Sequence, residues 1–324
     1  MKKLLKNTLH YVLPLLLGAF VLYWVYQDFD FHQAWEAMLH EMDWGWMLFS
    51  LIFGILAPLF RGLRWKQLLE PVGSVVSARH CIDAVYITYA ANLVVPRAGE
   101  VTRCGLLARY DDVPFSTSVG TVVTERAIDV FTMLAFSLLV FLLQMPVFLD
   151  FFQTTGTKMQ SIEHLLTTPW TYVSLFCIIG VLVLLRVLIR RLSIYNKVKG
   201  VMTNMREGLL SVGRVHNKPL FWLYTLLIWL SYFLHFYVAF YCFSFSANLG
   251  VMAALVMFVA GTFAVIVPTP NGAGPWHFAV ITMMMLYGVS AVDASTFALL
   301  VHGVQTLLVV VLGVWGWLRF VQPV

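Results

Sequence analysis

The sequence predicts an all-α polytopic membrane protein: about six full spans plus two re-entrant broken-helix hairpins arranged as an inverted repeat. Three observations predict it. The 324 residues are 60% hydrophobic and 11% charged, with a mean hydropathy of +0.82, whereas a soluble domain carries about 25% charged residues to face water. Apolar runs of roughly twenty residues, the length that crosses a hydrocarbon core, recur along the chain. Two further apolar stretches break at prolines in corresponding places of the two halves. This composition excludes an ordinary water-soluble enzyme, and it excludes a disordered scaffold, which needs low hydrophobicity and high charge.

The elements follow in chain order. Residues 1–26 imitate a signal peptide, with Lys2, Lys3 and Lys6 before an apolar run. The run ends in Tyr23, Trp24, Val25 and Tyr26 with no small-x-small cleavage site, so it reads as a retained signal anchor. Full spans are expected at 8–27, 43–60, 119–144, 170–189, 220–245 and 294–318. Trp44, Trp46, Trp170, Trp222, Trp315 and Trp317 lie near their ends, as interfacial belts require. The N-terminal lysines, the 61–79 segment with Arg61, Arg64, Lys66 and Arg79, and the basic loop 186–218 should face the cytoplasm. The acidic 28–43 segment and residues 145–168 then lie outside, and both termini lie inside. The net charge of +5 is concentrated in loop 186–218. It reads as a topology signal that meets anionic lipid, and not as a nucleic-acid patch.

Residues 80–109 are apolar at first, break at Pro96, and continue through Arg97, Gly99, Glu100 and Arg103. Residues 250–290 are apolar to Val267, then break at Pro268-Thr-Pro270-Asn271-Gly272-Ala-Gly274-Pro275. Lipid does not tolerate the unpaired backbone of such breaks, so each must be buried in protein or line a wet cavity. As re-entrant hairpins they keep the orientation rule intact. Residues 1–324 then form a single membrane domain. The first repeat is 43–144, with hairpin 80–109; the second, 220–318, has hairpin 250–290 and the opposite orientation. Broken helices in matching places of inverted repeats are the sequence pointer to a transporter with a midplane site.

Ionisable side chains at membrane depth need a partner or a task. Arg97, Glu100 and Arg103 follow Pro96 at three-residue spacing, which with Pro96 as first helical residue places them along one side of a helix. Glu125, Arg126 and Asp129 head the span 119–144, and the six groups together are close to neutral. Arg97 and Arg103 are candidates for binding a phosphate, since a guanidinium fork fits phosphate oxygens. The alternative is a purely structural clamp between hairpin and span. The turn of Asn271, Gly272 and Gly274, just before Pro275, Trp276 and His277, offers a helix N-terminus as an anion site. Close helix packing is its alternative. His235 and His302, with Gln305 near by, are candidates for proton coupling, although a lone buried histidine is more often a hydrogen-bonded core residue. Cys81, Cys104, Cys177 and Cys242 have neither disulfide-framework nor metal spacing, so no metal and no cofactor are expected.

Four segments carry a resemblance. Arg61-Gly-Leu-Arg64-Trp65, then Asn92-Leu-Val-Val-Pro96-Arg97-Ala-Gly99-Glu100-Val-Thr-Arg103, then Glu125-Arg126-Ala-Ile-Asp129, and finally Pro268-Thr-Pro270-Asn271-Gly272-Ala-Gly274 resemble the lysylphosphatidylglycerol synthase transmembrane, or flippase-like, family. The resemblance covers nearly the whole chain. It implies a multi-pass protein of the bacterial inner membrane whose fold matches the flippase half of aminoacyl-phosphatidylglycerol synthase/flippase proteins. Two departures bear on cargo. The sequence stops at Val324, directly after the last span, so the soluble aminoacyltransferase domain is expected to be absent. His277 stands where many relatives carry a glutamate, which disfavours a cationic lysyl headgroup. The expectation is a lipid flippase without enzymatic activity, moving an anionic or zwitterionic phospholipid or a polyprenyl-phosphate lipid by rocking of the two repeats. A homo-oligomer and a separate lipid-synthesising enzyme are the expected partners, and nucleic acid is not. The rivals are a membrane-embedded lipid-modifying enzyme and a non-transporting subunit that presents lipid to a partner enzyme.

Overall fold

A computed structural model describes residues 2–27, 29–145 and 211–322, and among these every regular element is helical. The expected span 170–189, the outside loop 145–168 beyond its first residue, and the basic loop up to residue 210 lie outside the described residues. Helix α1 runs Lys2–Tyr26, and a short helix α2, Phe31–Glu36, is capped by Asp30, whose carboxylate accepts from the His32 and Gln33 N–H groups. Among the described residues, four helices are long and apolar enough to cross a membrane. They are α3 (Trp44–Leu69), α6 (Phe115–Leu143), α7 (Lys218–Tyr237, extended by a 3₁₀ turn to Cys242) and, last in the chain, α10 (Ala291–Phe320). At about 1.5 Å rise per residue each is comparable with a hydrocarbon core of about 30 Å.

Two pairs of shorter helices fill the remainder. α4 (Ala78–Val94) and α5 (Ala98–Tyr110) flank the first break, and α8 (Gly250–Ala264) and α9 (Pro275–Leu286) flank the second. The caps explain the boundaries. Ser77 accepts from the His80 N–H to start α4, Pro275 sits in the first turn of α9, and Ser290 accepts from the Asp293 N–H to start α10.

Two apolar cores organise the bundle. One gathers Trp65 and Leu68 of α3, Cys81, Ala84 and Val85 of α4, Leu107 of α5, Val122, Phe221 and Phe320. The other gathers Met47 of α3, Val140 of α6, Phe236 and Phe240, residues of α8 and α9, and Phe297 and Val301 of α10. Each long helix therefore contributes one end to each core. The first hairpin packs at one end of this four-helix frame and the second at the other. α7 lies along α3 and α10 along α4, so the two halves interlock.

Two expectations need correcting. α3 does not stop near residue 60: it continues through Arg61, Gly62, Arg64 and Trp65 to Leu69, and these four are buried. Arg61 and Arg64, counted with Lys66 and Arg79 as a cytoplasmic signal, are buried in the helix, because carboxylates of α6 neutralise them (below). Pro96 is not the first residue of α5, since Arg97 caps that helix in a left-handed conformation, φ 64°. Arg97 thus lies off the helix that carries Glu100 and Arg103.

Candidate functional site

The centre of the frame holds an ion-paired cluster. Glu125, fully buried on α6, accepts from Arg61 Nη1 at 2.7 Å, from both Nη atoms of Arg103 at 3.1 and 3.2 Å, and from Arg126 at 2.8 Å. Asp129, one helical turn later, accepts from Arg61 at 2.6 Å and from Arg64 at 2.6 Å. Glu100 of α5 reaches Arg126 at 4.0 Å. Four guanidiniums thus face three carboxylates, leaving one positive charge in excess. The stems are held from several elements: Tyr232 of α7 accepts from Arg61 Nε and is hydrogen-bonded to Tyr89 of α4, while Thr225 accepts from Arg64. Arg103 lies over the Trp65 ring, 4.5 Å from its centroid, and the Trp65 N–H donates to Thr121.

The expected network of Arg97, Glu100, Arg103, Glu125, Arg126 and Asp129 therefore divides. Arg103 and Asp129 are enclosed within ion pairs, whereas the Arg126 side chain remains 40% exposed. Arg97 is elsewhere. Its exposed guanidinium donates to the Ile266 carbonyl at 3.1 Å, and it forms no ion pair with any described carboxylate. Ile266 lies in the second break, so Arg97 is the point where the two breaks meet. Asn92 supports this geometry by accepting the Gly99 N–H at 2.8 Å. A Cβ on Gly99 would collide with the Thr88 carbonyl, so only glycine lets α5 lie this close to α4.

At the second break the donors proposed as an anion site are engaged within the turn. The Gly272 N–H donates to the Thr269 carbonyl, the Ala273 N–H to Pro270, and the Gly274 N–H to His277 Nδ1 at 3.3 Å. Asn271, with φ 51°, donates from its amide to Thr306 and accepts at its carbonyl from His302. A Cβ on Gly274 would stand 2.9 Å from Val21 Cβ, so this glycine serves the close approach of α1. These contacts pack the turn against α1 and α10. His277 is buried edge-on to His302, 4.5 Å between ring centroids, and beside Tyr26. His235 is bonded at Nδ1 to the Ser50 carbonyl at 2.8 Å and fills the groove at Gly54. Both His235 and His302 thus have the hydrogen-bonded settings of core histidines.

Sequence reasoning missed Arg61, Arg64, Thr225, Tyr89 and Tyr232. For the arginines a signal existed: Trp65, Leu68 and Leu69 continue the apolar pattern past them, so the helix had no reason to end at residue 60.

Among the described residues, four helices of spanning length, two pairs of shorter helices and a buried arginine–carboxylate core make up an integral membrane architecture. The chain belongs to the family described as the lysylphosphatidylglycerol synthase TM region, whose family model matches residues 11–313. Among curated proteins it is similar to a glycosyltransferase, AglD, of Haloferax volcanii, 29% identical over 84 residues. That match covers 26% of this chain and only 13% of the archaeal protein. No solved structure matches.

Proposed function

We propose that the protein is a lipid translocase without enzymatic activity, which moves a phosphate-bearing lipid between the leaflets of a bacterial inner membrane. In this reading the two helix pairs are re-entrant hairpins of an inverted repeat, and their meeting point is the headgroup site. The observation that carries it is Arg97. Arg97 is an exposed arginine held off its helix at φ 64°, between two broken helices, with a carbonyl and no carboxylate as its partner. A guanidinium so placed has donors left for phosphate oxygens, which it can bind in a bidentate manner. Arg61, Arg64, Arg103, Glu125 and Asp129 hold α3, α5 and α6 in register and supply the excess positive charge that favours an anion. Family membership supports a membrane lipid as cargo. The name of the archaeal relative supports a second reading, a membrane subunit serving a partner enzyme.

Reconstitution of the isolated protein in liposomes, with leaflet-specific lipid labelling, separates the two, since a subunit alone leaves the label where it was. Arg97→Lys keeps the charge and loses the fork. Because no carboxylate is stranded, the variant should keep wild-type thermal stability in detergent while transport is lost. Wild-type transport by Arg97→Lys would end the phosphate role.

A further inference from the structure

The acidic segment between α1 and α3 is helical over most of its length. α2 (Phe31–Glu36) runs directly into a π turn, Ala37–Glu41, and together they sort their side chains into three sectors. Ala34 and Ala37, 3% and 4% exposed, face the body of the protein with half-buried Met38. Phe31, Trp35 and Leu39 form a row at four-residue spacing and are 60%, 55% and 50% exposed. His32, Glu36 and His40 form the next row, also exposed, with His40 Nε2 3.3 Å from the Glu36 carboxylate. Both ends of the segment are tied to the ends of neighbouring helices. Phe31 packs edge-on against Phe29 and lies beside Tyr26, the last residue of α1. The Trp44 Nε1–H, at the start of α3, donates to the Met38 carbonyl at 3.2 Å. Trp44 and Trp46, both exposed, head a helix of spanning length, which sets them at the boundary of a bilayer. A helical stretch fastened at that level by both ends lies along the boundary and does not project from it.

We propose that residues 31–41 are an interfacial helix whose Phe31, Trp35 and Leu39 row inserts into the bilayer where headgroups meet acyl chains. The three sectors match the three surroundings of such a helix: alanines against protein, the apolar row against lipid, histidines and glutamate against water. Trp35 suits this level, because its ring buries an apolar body while its N–H keeps to the polar side. Residues 28–43 carry five acids and neither lysine nor arginine, so attraction to anionic lipid plays no part. The partner is the apolar boundary layer of a bilayer of either headgroup charge, and burial of apolar area holds the row in it. A second copy packed on this row would bring two acid-rich segments together, which their like charge opposes. The inference stands independently of the transport reading.

The test uses the full chain in liposomes. A nitroxide is attached to one introduced cysteine at a time: Phe31→Cys, Trp35→Cys or Leu39→Cys in one row, His32→Cys, Glu36→Cys or His40→Cys in the other. All six side chains are exposed, so the variants should fold. The described native cysteines are buried, and the unsubstituted protein gives the labelling background. Relaxation by oxygen, which concentrates in lipid, is compared with relaxation by a water-soluble nickel chelate. The expected result is loss of nickel contact with oxygen contact kept along the apolar row, and the reverse along the polar row. The pattern should be the same in phosphatidylcholine and in phosphatidylglycerol vesicles. Trp35→Phe, which needs no label, should lower the quenching of tryptophan fluorescence by phosphatidylcholine brominated near the headgroup. Nickel contact along both rows, or quenching unchanged in Trp35→Phe, would overturn the proposal by placing the segment in water. Spin–spin broadening along the apolar row, relieved by dilution with unlabelled protein, would overturn it in favour of a contact between copies. Insertion only into phosphatidylglycerol would overturn the charge-independent partner.

Discussion

At the scale of single residues, Glu125 is the keystone of the arginine core. It accepts from Arg61, Arg103 and Arg126 and is wholly buried, out of reach of bulk water. Removing one member of a buried ion pair costs about 3–5 kcal/mol, because the other charge is stranded. Glu125→Gln strands more guanidinium than any other single change in the cluster. Asp129→Asn, which frees Arg64 and half of Arg61, should cost less. Arg126→Ala should cost least, since that side chain is 40% exposed and its charge is the surplus one. Thermal unfolding in detergent checks the order, and a Glu125→Gln protein as stable as Arg126→Ala would remove the keystone role. The carboxylates of this cluster were legible in the sequence because an acid in an apolar run has no other explanation. Arg61 and Arg64 were harder to read: an arginine at the end of an apolar run is the ordinary mark of the cytoplasmic interface, and although Trp65, Leu68 and Leu69 hint that the helix continues, the carboxylates that bury the pair lie some sixty residues away on another helix.

At the scale of elements, the two breaks were legible and the helix ends were not. Proline removes an N–H and fixes φ, and at Pro96 and Pro268 it is followed by residues of positive φ, Arg97 in one case and Asn271 and Gly272 in the other, which complete the interruption, whereas Pro58 lies inside α3 without ending it. Where α3 ends depends instead on what packs against it, and Trp65, Leu68 and Leu69 extend it by joining the core shared with α4 and α5. The geometry of the first break depends on a second local device, the approach of Gly99 to Thr88. Gly99→Ala has no room, because its methyl group would meet backbone and not a side chain that can turn away. The arms of the hairpin would have to separate, and Arg97 would lose its place at the Ile266 carbonyl. Gly105 lies on the same helix with open space around its Cβ position. Gly105→Ala should therefore gain about 0.5–1 kcal/mol from helix propensity. Opposite shifts in melting temperature for the two alanine variants are expected. Equal shifts would show that the close approach of the arms is dispensable.

At the scale of the molecule, the interlocking of the halves bears on how the proposed headgroup site would be exposed alternately. Rigid rocking of two repeats needs an interface that slides. Here α3 and α7, from different halves, are keyed where Gly54 receives the His235 ring, and α4 and α10 where Gly313 receives Ala90 and Gly316 receives Tyr86. Packed cores of this kind are bistable or fixed, not continuously deformable. On the proposed transport reading, a frame keyed in this way would stay fixed and the hairpin breaks would be the parts that move. The second break is held against α1 by a contact that can be locked. A Cβ on Gly18 would stand 3.3 Å from Thr269 Cβ, close to the separation of about 3.8 Å found in disulfides. The double substitution Gly18→Cys with Thr269→Cys should cross-link on oxidation. The described native cysteines, Cys81, Cys104 and Cys242, are buried and should not compete. If the break moves against α1 during transport, the oxidised protein should be inactive in liposomes and recover on reduction, with stability raised in the locked form. If the halves rock as rigid bodies, α1 travels with the second hairpin it packs on, and the same cross-link is harmless. Full transport by the oxidised double-cysteine protein would return the mechanism to the rocking that the repeat pattern first suggests, and would require the keyed interfaces of α3 with α7 and of α4 with α10 to open.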